Sequence, residues 1–118
     1  MRLDHVQFPM PPGREAEADA FYCDLLGLTA VDKPAPLTAR GGRWYAAGQL
    51  GVHLGIEENY QPSRKAHLCF VVDDYDTLVQ RLVDAGRDLQ PDTELEGVVR
   101  CYVFDPFGNR IELQRAVN

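Results

Sequence analysis

Two histidines and one glutamate stand at corresponding places in two stretches of this chain that echo one another. They are His5 in Leu3-Asp4-His5-Val6, His67 in Ala66-His67-Leu68-Cys69, and Glu112 in Asn109-Arg110-Ile111-Glu112-Leu113. Two imidazoles and a carboxylate are the ligand set of an open catalytic metal site, which leaves coordination positions for water or substrate. A buried polar cluster of this kind costs several kcal/mol unless it is hydrogen-bonded or coordinated, and a divalent cation would satisfy all three groups. An ordinary His–Glu hydrogen bond with a solvated second histidine is the competing explanation of the same residues.

Such a set works only if the elements carrying it repeat. Two similar blocks are read, about 1–58 and 65–118, within one domain spanning 1–118. Each opens with a strand, Leu3–Phe8 and Ala66–Val72. A helix follows, with apolar stripes Ala18, Phe21, Tyr22 and Leu25 in the first and Tyr75, Leu78, Val79 and Leu82 in the second. Gly27 and Gly86 suit the left-handed position that ends a helix, and Asp74 is a candidate N-cap. Three short strands come next. There Arg43-Trp44-Tyr45 lines up with Arg100-Cys101-Tyr102, and without a gap Gly51 falls on Gly108, Leu54 on Ile111 and Ile56 on Leu113. Asp105-Pro106-Phe107-Gly108-Asn109 reads as a hairpin turn, and the polar stretch 58–65 as the connector.

Strand alternation then sorts the candidates by face. Glu112 shares a face with Arg110 and Gln114, His53 with Gly55 and Glu57, His5 with Gln7, and His67 with Cys69. Glu57 and His53 are the candidates for moving a proton. Arg110 is read as a partner either for an anionic substrate group or for a neighbouring carboxylate, and Gln7, Trp44, Tyr45 and Tyr102 as cavity lining, although strand aromatics also serve as plain core.

Composition narrows the field of partners. A formal charge of −6 argues against nucleic acid or an anionic membrane surface as the main partner and says nothing more, since a solvated acidic surface accounts for it; the small-molecule partner is an expectation of the site residues. No apolar run approaches the ~18 residues of a membrane span or resembles a signal peptide. Three cysteines, odd in number and outside any paired Cys-x-x-Cys pattern, read as buried reduced thiols and point to the cytoplasm.

These residues in this order resemble the vicinal oxygen chelate superfamily, which includes glyoxalase I, extradiol dioxygenases, fosfomycin-resistance transferases and bleomycin-resistance proteins. The resemblance spans the whole chain, and its most specific segment is Asp105-Pro106-Phe107-Gly108-Asn109-Arg110-Ile111-Glu112. It implies an α+β fold of two βαβββ modules, forming a cup-shaped, partly open mixed sheet with helices outside. It implies His5, His67 and Glu112 as ligands of one divalent ion (Fe, Mn, Ni or Zn), and a homodimer with sites shared between subunits. Glyoxalase I has a further glutamate ligand in the last strand of module one. The ungapped repeat puts Gly55 there, with His53 and Glu57 two residues to either side. The resemblance thus implies a lyase, isomerase or dioxygenase acting on a small oxygen-bearing metabolite through two adjacent oxygens. Its alternative is a metal-free protein that sequesters a toxic compound, as bleomycin-resistance proteins do.

Overall fold

The structure, a computed structural model, describes residues 1–117. It divides into two compact units, Met1–Pro62 and the stretch from Ser63 onward.

In the first unit, β1 (His5–Met10) leads to α1 (Glu15–Asp19), which continues as a π-helical stretch over Ala20–Leu25. Then come β2 (Thr29–Val31), the short α2 (Ala35–Thr38), β3 (Arg43–Ala47) and β4 (Leu50–Ile56). The sheet order is β1-β4-β3-β2, with β1 parallel to β4 and the other pairs antiparallel. The second unit repeats the plan. Strand β5 (Leu68–Val72) is followed by α3 (Tyr75–Asp84), β6 (Gln90–Asp92), β7 (Arg100–Phe104) and β8 (Arg110–Arg115). Its order is β5-β8-β7-β6, again with one parallel pair. The fold is α+β, two βαβββ modules each with its own mixed four-stranded sheet.

Each helix covers one face of its own sheet. Ala18, Phe21 and Tyr22 are fully buried, and the Tyr22 ring stacks on Tyr45 of β3 at 5.2 Å. Leu78 and Leu82 of α3 are buried, and Tyr75 lies under the Arg115 guanidinium. Beneath them Val52, Leu54, Ile111 and Leu113 form the apolar side of β4 and β8. Burying these side chains at roughly 1.5–3 kcal/mol each is what ties helix to sheet and leaves the opposite face for polar groups.

Gly27 and Gly86 end the helices at φ 79° and 78°. Asp74 occupies the N-cap position of α3, but its side chain makes no capping hydrogen bond. The first helix departs from the expected α-helix, because Leu26 N–H reaches the Phe21 carbonyl five residues back at 2.9 Å. The wider turn lets the adjacent Phe21 and Tyr22 both enter the core. The thiols also differ from expectation. Only Cys101 is buried, Cys23 is half-buried and Cys69 is exposed, all three being free.

The hairpin turn is strongly built. The buried Asp105 carboxylate accepts the backbone N–H groups of Phe107 and Asn109 at 2.8 Å and the Asn109 side-chain amide at 2.8 Å. Gly108 takes φ 89°, which a side chain would oppose.

Candidate functional site

Two clusters occupy the sheet faces turned away from the helices, one in each unit.

In the second unit, Tyr102 lies directly across from Glu112 on the antiparallel β7–β8 pair, and Cys69 across from it on β5. His67 lies just before β5. Its Nδ1 donates to the Lys65 carbonyl at 2.7 Å, and its Nε2 stands 2.9 Å from Glu112 Oε2. Since the carbonyl can only accept, Nδ1 carries the hydrogen. In the neutral ring, Nε2 then turns a lone pair toward a carboxylate oxygen. Two acceptors at that separation call for a positive charge between them, a proton or a metal cation. A ring anchored through Nδ1 to a backbone carbonyl, with Nε2 free to coordinate, is the usual arrangement of a metal-binding histidine.

The other Glu112 oxygen accepts from Arg100 Nη1 at 3.2 Å, and Arg100 Nη2 donates to Asp92 at 2.9 Å. Glu112 is 6% exposed, so this contact fixes its rotamer and leaves Oε2 for its partner. The Arg110 guanidinium lies over the Tyr102 ring at 3.9 Å, and His67 meets the same ring edge-on at 5.3 Å. Arg100 Nε and Arg110 Nε are buried without a hydrogen-bond partner among the described residues. Burial and then the nearby Glu112 carboxylate push the Cys69 thiol up to about 11.

In the first unit the rings form a ladder. Trp44 stacks on His53 at 4.1 Å with the rings nearly parallel, and His53 stacks on His5 at 4.4 Å. The Asp4 carboxylate bonds His5 Nδ1 at 2.9 Å, and this contact with the charge of His5 holds the Asp4 carboxyl below its ordinary value. Burial first, then the neighbouring His5 and Lys33 charges, lower His53 from its ordinary value; Asp4 opposes them. Gly51 leaves room for this stack, since a Cβ there would sit 3.0 Å from His5 Cβ and 3.1 Å from His53 Nε2 and press on both side chains. A cavity of about 430 Å³ opens beside His5, His53 and Trp44.

The cross-strand pairs revise the internal alignment. Trp44 lies opposite His53 as Tyr102 lies opposite Glu112. His53 also touches His5 as Glu112 touches His67. The place of Glu112 in the first unit is therefore held by His53, not Gly55. Over Gly55 lies the Gln7 amide, 2.6 Å from where a Cβ would stand. Glu57 is exposed beyond the end of β4 and borders a different cavity, with Gln7 and Pro9.

Tyr45 borders the cavity around His5 and also serves as core: its ring is 1% exposed and packs on Tyr22, and its hydroxyl donates to Asp19 at 2.7 Å. Burial, then that carboxylate, push the hydroxyl well above its ordinary value. The alternation of β3 sends Trp44 to one face and Tyr45 to the helix. Arg100 joins the Glu112 cluster without any sequence motif to single it out, and Arg43, its partner in the ungapped alignment, bonds Asp19 on the helix side instead. The position of Arg100 two residues from Tyr102 on one strand was the available signal.

The structure thus gathers His5, His53, Trp44 and Gln7 in one unit and His67, Glu112, Arg110 and Tyr102 in the other. Among the described residues, no three His, Cys, Asp or Glu side chains stand together closely enough to hold a metal ion. No described helix is long and apolar enough to cross a membrane.

Two βαβββ modules, each with its own four-stranded mixed sheet, and a His67–Glu112 pair on the sheet face away from the helix define the class, and the chain belongs to the Glyoxalase/Bleomycin resistance protein/Dioxygenase superfamily, whose family model matches residues 2–113. This is the vicinal oxygen chelate group that the sequence motifs resemble. A crystal structure from Bacillus anthracis, assigned to the glyoxalase family, is 40% identical with a TM-score of 0.94, covering 99% of this chain and 96% of that one. Lactoylglutathione lyase from Agrobacterium tumefaciens (21% identical, TM-score 0.74, covering 98% and 93%) shares the fold. So does a genomically encoded fosfomycin resistance protein from Listeria monocytogenes (13%, TM-score 0.78, covering 99% and 94%). No curated protein matches the chain.

Proposed function

We propose that this protein is a metal-dependent enzyme of the vicinal oxygen chelate type, acting on a small oxygen-bearing metabolite. The observation that carries this reading is the facing of His67 Nε2 and Glu112 Oε2 while Nδ1 is held by the Lys65 carbonyl. That donor chemistry fits a divalent first-row ion, with His5 as third ligand. When bound, such an ion supplies Lewis acidity toward two adjacent substrate oxygens.

The chain's own residues do the rest. Arg100 orients Glu112, and the stiff backbone anchor at Lys65 orients His67. Arg110, seated on Tyr102, presents a guanidinium to a negatively charged substrate group. Trp44 and Gln7 shape the cavity beside His5. Of the two candidates for moving a proton, His53 lies against His5, whereas Glu57 lies beyond the strand end; His53 is the one we assign.

Because His5 belongs to one unit and His67 with Glu112 to the other, one kind of unit must meet the other to complete the ligand set. We assign that meeting to a two-fold homodimer, in which His5 of one subunit joins the pair of its partner. Metal content after purification, followed by metal-dependent turnover on a panel of vicinal dioxygen substrates, tests the reading. A stoichiometric first-row metal with turnover is the expected result. Tight ligand binding by a protein that takes up no metal would instead identify a sequestering protein.

A further inference from the structure

The loop between β2 and β3 has no close counterpart in the second unit. It runs from Asp32 to Gly42 and contains α2, whereas the equivalent link from Thr93 to Val99 is shorter and carries Glu94 and Glu96. Long, built loops on a regular scaffold are where binding groups tend to reside. This one brings two cations, Lys33 and Arg40, to a separate cavity of about 240 Å³.

The cavity is walled by Leu37 and Trp44, with Gln7 at its side and Lys33 and Arg40 contributing charge. The Pro34–Pro36 segment limits backbone freedom on one flank. On the other, Gly41 and Gly42 at φ 72° and 82° turn the chain back into β3, and a Cβ on Gly42 would strike the Leu54 carbonyl. Lys33 Nζ donates to the Gly41 carbonyl, which holds the ammonium in place with donors to spare. The Arg40 guanidinium has no hydrogen-bond or ion-pair partner among the described residues. The Glu15 carboxylate accepts the Gly42 N–H at 3.4 Å and lies beside Gly41 at the edge of the recess, without itself lining it. Two cations thus converge on a small, partly apolar recess in a chain whose formal charge is −6. The recess has room for a charged end group on a short chain.

Trp44 and Gln7 border both this recess and the cavity of His5 and His53. We propose that the recess is an oxyanion subsite, receiving the carboxylate or phosphate group of a small metabolite whose other end lies beside His5 and His53. This deepens the chelating-enzyme reading and rests on it for the substrate's orientation, but the binding of an anion here does not depend on metal.

Trp44 is the only tryptophan in the chain, so its fluorescence reports on this recess. Metal-free protein is titrated with inorganic phosphate and, separately, with malonate, at ionic strength held constant with chloride. A saturable change is expected with at least one probe, and the probe that saturates distinguishes phosphate from carboxylate. Arg40→Ala and Lys33→Ala should each weaken binding by about three- to tenfold, the range of an exposed charge-assisted hydrogen bond, while Arg40→Lys keeps most of it. Arg81→Ala, on α3 of the other unit, serves as the control for lost surface charge. The proposal is overturned if neither probe saturates, or if Arg81→Ala weakens binding as much as Arg40→Ala. It is equally overturned if Arg40→Ala and Lys33→Ala, both shown folded by circular dichroism, bind as the wild type does. A protein that passes this test but holds no metal keeps the subsite and loses the chelating mechanism; one that holds metal but fails it loses only the subsite.

Discussion

Replacing Glu112 by glutamine separates what that side chain does for the fold from what it does for metal. In the metal-free protein the substitution should be nearly silent. The glutamine carbonyl can still accept from Arg100, and its amide can donate to the His67 Nε2 lone pair, which the Lys65 carbonyl fixes in place. Arg100 also keeps its 2.9 Å contact with Asp92. The loss of a charge-assisted bond is set against a smaller desolvation cost at a nearly buried site, so the net change should stay within about 1 kcal/mol. Metal binding has no such compensation. A structural zinc site of four ligands is worth roughly 10–16 kcal/mol, so one ligand represents about 2.5–4 kcal/mol, or a ~100–1,000-fold weaker Kd. Urea denaturation with chelator present measures the first quantity, and calorimetric titration against a competing chelator the second. The reasoning fails if metal affinity is unchanged. It fails in a different way if metal-free Glu112→Gln loses several kcal/mol, since the carboxylate would then be chiefly an anchor for Arg100.

Four further outcomes are expected. Cys69, exposed but with its thiol pushed up to about 11 by burial and by Glu112, should alkylate slowly; at about pH 8 its hundredfold smaller thiolate fraction is partly offset by higher nucleophilicity, leaving it about tenfold slower than a free cysteine, with the rate still climbing toward pH 11. Peptide mass spectrometry of metal-free protein checks this, and Glu112→Gln should speed it. Asp105→Ala strips three N–H groups of their acceptor and should cost about 2–4 kcal/mol, read as a fall in Tm and in the denaturation midpoint. Tyr45→Phe should lower stability by about 1 kcal/mol through its lost bond to Asp19, yet leave KM and kcat in place; a large change in turnover would give the Tyr45 hydroxyl a role beyond the core. Mixing inactive His5→Ala and Glu112→Ala proteins should restore the one site of the heterodimer that carries neither lesion, and no recovery after proven subunit exchange would locate each site within one chain.

The order of elements was legible because each relies on a local signal. Apolar stripes marked the helices, Gly27 and Gly86 their ends, and the Asp105–Asn109 turn the final hairpin. The His67–Glu112 pair was legible too, since alternation alone puts Glu112 with Arg110 and Gln114, away from the buried Ile111 and Leu113. What failed was register. Strands β3 and β4 are joined by Gly48 and Gln49, whereas β7 and β8 are joined by the longer Asp105–Asn109 turn, so an ungapped alignment cannot be right on both sides of the hairpin. A slip of one residue reverses the face of every side chain in a strand. It matched Tyr45 with Tyr102 and Arg43 with Arg100, although each pair points to opposite sides of its sheet.

The corrected register alters the chemistry as well as the geometry. With Trp44 equivalent to Tyr102 and His53 to Glu112, the two units are variations on one device: a histidine at the head of the first strand, a second donor on the last, and an aromatic ring beneath it. They have diverged in charge. The second unit pairs its histidine with a carboxylate and adds two guanidiniums, whereas the first stacks two imidazoles on an indole and opens toward Lys33 and Arg40. Within the first unit, the recess of Lys33 and Arg40 shares Trp44 and Gln7 with the cavity of His5 and His53, so the proposed subsite would hold the negative end group of a substrate near Arg40. Reversing the charge at Arg40 with Arg40→Glu should therefore raise KM for an anionic substrate far more than it lowers kcat. Equal losses in both would mean that the recess does not grip the substrate through its charge.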